Sequence, residues 1–131
     1  MSEVRFSDSE LEVMCVLWDG GEQGLAGIMA QLQDRGKRWA PSTVQTFLTR
    51  LAKKGAVNTR HTGNRLLYSA ATDRQETESR EMGRLYRQLF GSSARALIST
   101  LLDNEKLSLE ELEQLREVID DYARGGGVNE C

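Results

Sequence analysis

This 131-residue chain contains only two cysteines and one histidine. Cys15 lies within an apolar helical pattern and Cys131 at the last position, so they make no disulfide framework, and a reducing compartment fits best. Neither belongs to a C-x-C or C-x-x-C pair, and with His61 they offer no usual ligand spacing; no metal and no cofactor are expected. Cys15 reads as a core residue and His61 as a turn residue. No apolar run approaches the roughly 20 residues needed to cross a bilayer, and Met1, Ser2, Glu3, Val4, Arg5 lack a signal peptide's charged and apolar regions. A cytoplasmic protein without membrane insertion is expected. Phosphate loop, zinc-helix motif and nucleophile elbow are missing as well, and the scattered carboxylates read as solvated helix faces, so the chain does not read as an enzyme. What remains, 39% hydrophobic and 28% charged residues, is the composition of an ordinary soluble globular chain.

The most informative absence is local. From Arg35 to Arg65 there is no Asp or Glu, while Arg35, Lys37, Arg38, Arg50, Lys53, Lys54, Arg60 and Arg65 give the stretch a charge of +8. The rest of the chain carries -11, for a net charge of -3. A basic block set in an acidic chain predicts a polyanion partner, because Lys and Arg neutralising phosphates provide most non-specific nucleic-acid affinity.

Ser7, Asp8, Ser9, Glu10 spells a capping box, where the Ser7 hydroxyl and the Glu10 carboxylate each satisfy a backbone N–H left free at a helix start. Leu11, Met14, Cys15 and Trp18 then recur at helical spacing, and Gly20 with Gly21 ends the helix. Leu25, Ile28, Met29 and Leu32 repeat the spacing in a second helix read from Leu25 to Gln33, closed by Gly36. A third begins at Trp39, Ala40, Pro41, since proline is tolerated at the first helical position. Trp39 is positioned to staple onto Val44. Val44, Phe47, Leu48 and Leu51 form its apolar stripe, opposite Ser42, Thr46, Thr49 and Lys53, with Gln45 and Arg50 at the flanks. Lys53, Lys54 and Gly55 suit its stop.

Val57–Arg60 and Arg65–Ser69 read as two strands joined by a turn at His61, Thr62, Gly63, Asn64. Three helices and a hairpin are the element order of a winged helix. The expected fold is therefore mainly α with a small β-hairpin wing: a winged helix-turn-helix domain at 1–71, a helical dimerisation domain at 72–124 and a flexible tail at 125–131. In the second domain, Thr72 to Gln75 reads as a capping box leading a helix with Met82, Leu85, Tyr86, Leu89 and Phe90 on one side, broken by Gly91 and Ser92. Ala94, Leu97, Ile98, Leu101 and Leu102 make another stripe. Ser108 and Glu111 box a last helix bearing Leu109, Leu112, Leu115, Ile119 and Tyr122. About 60 residues of short amphipathic helices are marginal alone, so a second copy is expected to complete their core through Leu85, Leu89, Leu97, Ile98, Leu101, Leu112, Leu115 and Ile119.

In a helix-turn-helix the second helix of the pair presents its N-terminal side chains to base edges while other groups hold phosphates. Ser42, Thr43, Gln45 and Thr46 are the candidate base readers; Gln45 suits adenine, and the hydroxyl residues suit bases or a thymine methyl. Thr49, Arg50, Lys53, Lys54, Arg60, Asn64 and Arg65 are candidates for phosphates or, at the wing tip, the neighbouring minor groove. A small-molecule-responsive regulator, with a pocket between the wing domain and the later helices, is the alternative reading, and a protein-interaction adaptor is a third.

The run Trp39, Ala40, Pro41, Ser42, Thr43, Val44, Gln45, Thr46, Phe47, Leu48, Thr49, Arg50, Leu51, Ala52, Lys53, Lys54, Gly55, with Leu11 to Met14 and Trp18 before it and Leu107, Ser108, Leu109 through Glu113, Leu115 and Arg116 after it, resembles the penicillinase-repressor (BlaI/MecI/CopY) family of winged-helix transcriptional repressors. The resemblance implies a homodimer that binds a pseudo-palindromic operator, represses a resistance or stress operon and is released by an upstream signal. In the family's β-lactam branch that release follows proteolytic cutting of the dimerisation domain, in a system with a membrane-bound sensor protease. The family's Asn-Phe cleavage pair aligns with Thr100 and Leu101, so the pair is not kept. The two C-x-C pairs of the copper branch are missing too.

Overall fold

The computed structural model describes residues 5–125. Residues 126–131, with Cys131 and most of the expected tail, lie outside them. The described elements are α1 (Asp8–Gly20), α2 (Leu25–Asp34), α3 (Pro41–Lys53), β1 (Val57–Thr62), β2 (Arg65–Ala70), α4 (Arg74–Leu89), α5 (Ala94–Asn104) and α6 (Leu109–Ala123). Two compact units divide between Glu81 and Met82, inside α4.

The first unit is built by local signals that agree with its packing. Ser7 and Glu10 form both halves of the capping box of α1, and Gly21, at φ 73°, ends it. Gly36 and Gly55 take positive φ values just beyond α2 and α3, a conformation costly for residues with a Cβ. Val13, Met14, Val16 and Leu17 of α1, Ile28 and Leu32 of α2, and Val44, Leu48 and Leu51 of α3 are fully buried with Phe6, Ala56, Val57 and Tyr68. Each large aliphatic side chain so buried contributes roughly 1.5–3 kcal/mol before entropy is counted.

Two sequence expectations for α1 need correction. Its buried residues are Glu10, Val13, Met14, Val16 and Leu17, a face displaced toward the N-terminal neighbours of Leu11, Met14, Cys15 and Trp18. Leu11 and Trp18 pack at the edge of the core, and Cys15 is half-buried with a free thiol that burial holds above its ordinary pKa. Glu10 joins this buried face with its carboxylate paired to Lys54.

β1 and β2 pair antiparallel from Val57 opposite Ala70 to Thr62 opposite Arg65. The connection is therefore only Gly63 and Asn64, with Gly63 at φ 63°, the geometry of a two-residue hairpin turn. His61 and Thr62, expected in the turn, extend β1. A third piece of chain joins the wing: Gln23 exchanges two backbone hydrogen bonds with Tyr68, 3.0 Å and 2.9 Å.

The cap of α4 also shifts by one residue. Asp73, not Thr72, accepts from the backbone of Glu76 at 3.0 Å, while the Thr72 hydroxyl is buried without a hydrogen-bond partner. The start of α4 belongs to the first unit: the Trp18 indole donates to the Thr72 carbonyl at 3.0 Å, Arg74 bridges to Asp19 at 2.5 Å, and Thr77 is buried.

The second unit has a different character. Ser93 caps α5, and Ser108 with Glu111 completes the expected capping box of α6. Yet α5 and α6 bury no residue. No described helix is long and apolar enough to cross a membrane.

Candidate nucleic-acid interface

α3 starts without a side-chain cap. Ala40 precedes it in an extended conformation and Pro41 stands in its first turn, so its first backbone N–H groups have no capping side chain. Trp39 meets Phe47 edge-on, with ring centroids 5.2 Å apart; this aromatic contact, one turn beyond the Val44 staple expected from sequence, fixes the approach to the helix. With Val44, Leu48 and Leu51 turned into the core, Ser42, Thr43, Thr46, Thr49, Arg50 and Lys53 are exposed and Gln45 is half-buried.

The hydroxyls on this face are partly committed. Thr46 donates to the Ser42 carbonyl at 3.0 Å and Thr49 to the Gln45 carbonyl at 2.9 Å. Each proton is thereby used within the helix, which leaves the oxygen as an acceptor and the methyl as an apolar contact. Thr46 can accept from an amino group on a base or touch a thymine methyl, but it is not a free donor. The Gln45 amide donates to the Tyr68 hydroxyl at 2.8 Å.

The cations of the acid-free block divide into two groups. Arg35 pairs with Asp19, Lys54 with Glu10 at 2.6 Å, and Arg60 with Glu22 through two contacts of 2.6 Å and 3.0 Å. Lys37, Arg38, Arg50, Lys53 and Arg65 have no carboxylate partner among the described residues. Lys37 lies instead over the Trp39 ring, 5.9 Å from its centroid.

Lys54, expected at a phosphate, is thus engaged within the chain. Its ammonium touches both the Glu10 carboxylate and the Arg5 carbonyl at 2.6 Å. Burial alone pushes the Glu10 carboxyl up, but Lys54 and the Ser7 donors outweigh it and hold the group below its ordinary value. Arg60 differs, because its partner Glu22 is exposed. A surface pair of this kind contributes little, and a phosphate can compete for the guanidinium.

Beside the second turn of α3, Gly24, Leu25, Ala26, Gln45, Arg65, Leu66 and Tyr68 line an open cleft of about 280 Å³. α2 begins there behind Gly24, again with no side-chain cap, and the Arg65 guanidinium passes within 3.4 Å of where a Cβ on Gly24 would stand. Free helix-start donors beside an unpaired guanidinium suit an anion. Asn64 is exposed at the hairpin tip. Ser42, Thr43, Gln45, Thr46, Arg50, Lys53, Asn64 and Arg65 therefore all belong to α3 or the wing of one unit. Sequence reasoning missed Tyr68 and Gln23, which meet through strand pairing between segments far apart in the chain. It also missed Glu10 as a buried partner, although a cation and an acid left over from a capping box were visible.

The penicillinase repressor family model matches residues 6–121. The chain belongs to the penicillinase repressor family. Relatives of this repressor include the penicillinase repressor of Bacillus licheniformis, 28% identical over 118 residues that span 90% of this chain and 91% of the relative. The methicillin resistance regulatory protein MecI of Staphylococcus aureus is 25% identical over 115 residues, 88% of this chain and 93% of MecI. The solution structure of the DNA-binding domain of the repressor BlaI superposes with a TM-score of 0.50 at 35% identity, covering 58% of this chain and 93% of that domain. The three helices and hairpin of the repressor described here are accordingly a winged-helix fold.

The repressor's remaining predicted residues lie in the second part of the chain. Leu85, Leu89, Ile98, Leu101, Leu112, Leu115 and Ile119 are exposed, Leu89 to 68%, while Leu97 is half-buried. Thr100 and Leu101, aligned with the family's cleavage pair, sit inside α5, and both are exposed. A protease that takes an extended substrate has to unwind that helix to reach the bond.

Proposed function

We propose that this protein is a dimeric, sequence-specific transcriptional repressor that binds a pseudo-palindromic DNA operator in the cytoplasm and is released by an upstream signal. The observation that carries the reading is the surface of α3: a polar, hydroxyl-rich first half, flanked by guanidinium and ammonium groups without carboxylate partners, on a winged helix of a DNA-binding repressor family. Ser42, Thr43, Gln45 and Thr46 face bases in the major groove. Arg50, Lys53 and Arg65 hold phosphates, with Thr49 beside them and with Arg60 once it leaves Glu22. Asn64 at the wing tip approaches the minor groove. Lys54 is left out of the interface because Glu10 holds it.

A homodimer through α4–α6 places two such helices on DNA, which makes the operator symmetric. Its contact comprises Leu85, Leu89, Leu97, Ile98, Leu101, Leu112, Leu115 and Ile119, apolar groups otherwise left in water. Release acts by separating these helices; proteolysis at or near Thr100 and Leu101, commanded by a membrane-bound sensor protease, is one way to do so.

The test is recovery of DNA from a genomic library by the purified full chain, followed by footprinting. Related half-sites with centres about one helical turn, 10–10.5 base pairs, or a multiple of it apart are expected. Recovery of DNA without a shared sequence, or of a single asymmetric site occupied by one chain, overturns the reading.

A further inference from the structure

Gln45 is the one candidate base reader whose side-chain functional group is held by another part of the fold. Its amide Nε2 donates to the Tyr68 hydroxyl at 2.8 Å, across a sequence separation of 23 residues. Tyr68 is a rigid support. Its ring is in the core at 3% exposure, it pairs with Thr59 within the hairpin, and both its backbone polar groups are bonded to Gln23.

We infer that Tyr68 is a positioning residue for sequence readout, holding the Gln45 amide in the orientation that its DNA contact requires. This inference rests on the reading of Gln45 as a base reader. A glutamine amide has two N–H donors and one carbonyl acceptor. Tyr68 uses one donor and leaves the other donor and the carbonyl, the pair that bidentate recognition of adenine needs. Because the hydroxyl accepts here from the amide nitrogen, the Gln45 carbonyl is left unspent. Without it, a long side chain lining an open cleft has to be ordered by the DNA itself, at a cost in rotamer freedom that falls on the correct complex. If the contact were only a strut between helix and wing, its loss would alter stability and all DNA affinities together.

The experiment titrates the full-length protein, as wild type, Tyr68→Phe, Gln45→Ala and the double variant, against operator duplex recovered as above and against a scrambled duplex. Tyr68→Phe keeps the buried ring and removes only the hydroxyl. Gln45→Ala is expected to lower the operator-to-scrambled affinity ratio about tenfold or more, the scale of a lost base contact. Tyr68→Phe should lower that ratio about three- to tenfold while leaving scrambled affinity unchanged, and the double variant should match Gln45→Ala alone. In the free protein, the Gln45 side-chain amide nitrogen should be ordered in wild type and become mobile on Tyr68→Phe. Gln45→Met, which keeps the side-chain length without the amide, should reproduce the ratio of Gln45→Ala.

The outcomes separate the two ideas. No change in ratio for Gln45→Ala overturns the base-reader assignment on which the inference rests. A reduced ratio for Gln45→Ala with an unchanged one for Tyr68→Phe overturns the positioning role alone. Additive losses in the double variant also overturn it, since Tyr68 would then act independently of Gln45.

Discussion

The first unit closes its core within one chain, whereas the second leaves its apolar stripes open. In α1–α3 and the wing, every stripe meets another: α1 lies against α2, α3 and β2, and α3 against β1. In α4–α6, Met82, Leu85, Leu89, Ile98, Leu101, Leu102, Leu109, Leu112, Leu115, Val118, Ile119 and Tyr122 remain exposed, and none of these helices packs extensively on another. Both regions have amphipathic helices of similar length and one Ser-Glu capping box each, so helix signals alone do not distinguish them. The difference is the presence of a partner surface within the chain, and the proposed homodimer would supply the one that α4–α6 lack.

The contrast is sharpest where one leucine is removed from each region. Leu48→Ala empties space in the closed core and should lower unfolding free energy by about 2–5 kcal/mol, at every protein concentration. Thermal melts across a dilution series will show whether the loss is concentration-independent. Placing charge on the open face by Leu112→Asp with Ile119→Asp should act differently, weakening self-association by on the order of 2–4 kcal/mol, the range of interface hot spots. Sedimentation should then report a monomer whose winged helix still melts cooperatively; a dimer of unchanged strength would show that the contact lies elsewhere.

A smaller effect is expected inside the first unit at Glu10 and Lys54. Lys54→Met leaves a buried carboxylate without its cation, and because the Lys54 side chain is itself partly exposed the cost should be about 2 kcal/mol, below the range for fully buried pairs. The same pair sets a pH dependence. The folded Glu10 carboxyl titrates below its ordinary value of 4.5, so the folded state favours the ionised form. Its contribution is complete above that value and is lost as pH falls through the lower, folded value. Denaturation curves from neutral pH to about pH 3 should therefore fall less steeply for Glu10→Gln than for wild type. Equal slopes would remove the pair from the stability of this unit.

Helix order, the two Ser-Glu capping boxes and the apolar stripe of α3 could be read from sequence because each is decided within one or two turns. The phase of α1 could not. Val13 to Trp18 is a continuous apolar run that permits several faces, and the face that is buried includes Glu10, whose partner Lys54 lies far along the chain. The hairpin was recognisable from its turn residues, but its length depended on where pairing stopped, so His61 and Thr62 were misplaced. The basic block drew attention to α3 and the wing. It could not show that Lys54, Arg35 and Arg60 have carboxylate partners while Arg50, Lys53 and Arg65 do not, since those partners lie outside the block. Tyr68 was invisible for a similar reason: nothing local in a β-strand announces that its hydroxyl will meet Gln45 of α3.

The most direct measurement compares Thr46→Ala with Lys53→Ala, two exposed positions about two turns apart on α3. Each variant is titrated against operator and scrambled duplexes at several salt concentrations. Lys53→Ala should weaken both duplexes alike and flatten the log–log salt slope by about 0.9, the signature of one lost phosphate contact. Thr46→Ala should cost on the order of 1–3 kcal/mol on the operator, with scrambled affinity and salt slope nearly unchanged. If Thr46→Ala weakens both duplexes equally or neither, and Lys53→Ala leaves the slope untouched, α3 does not read DNA in the manner proposed.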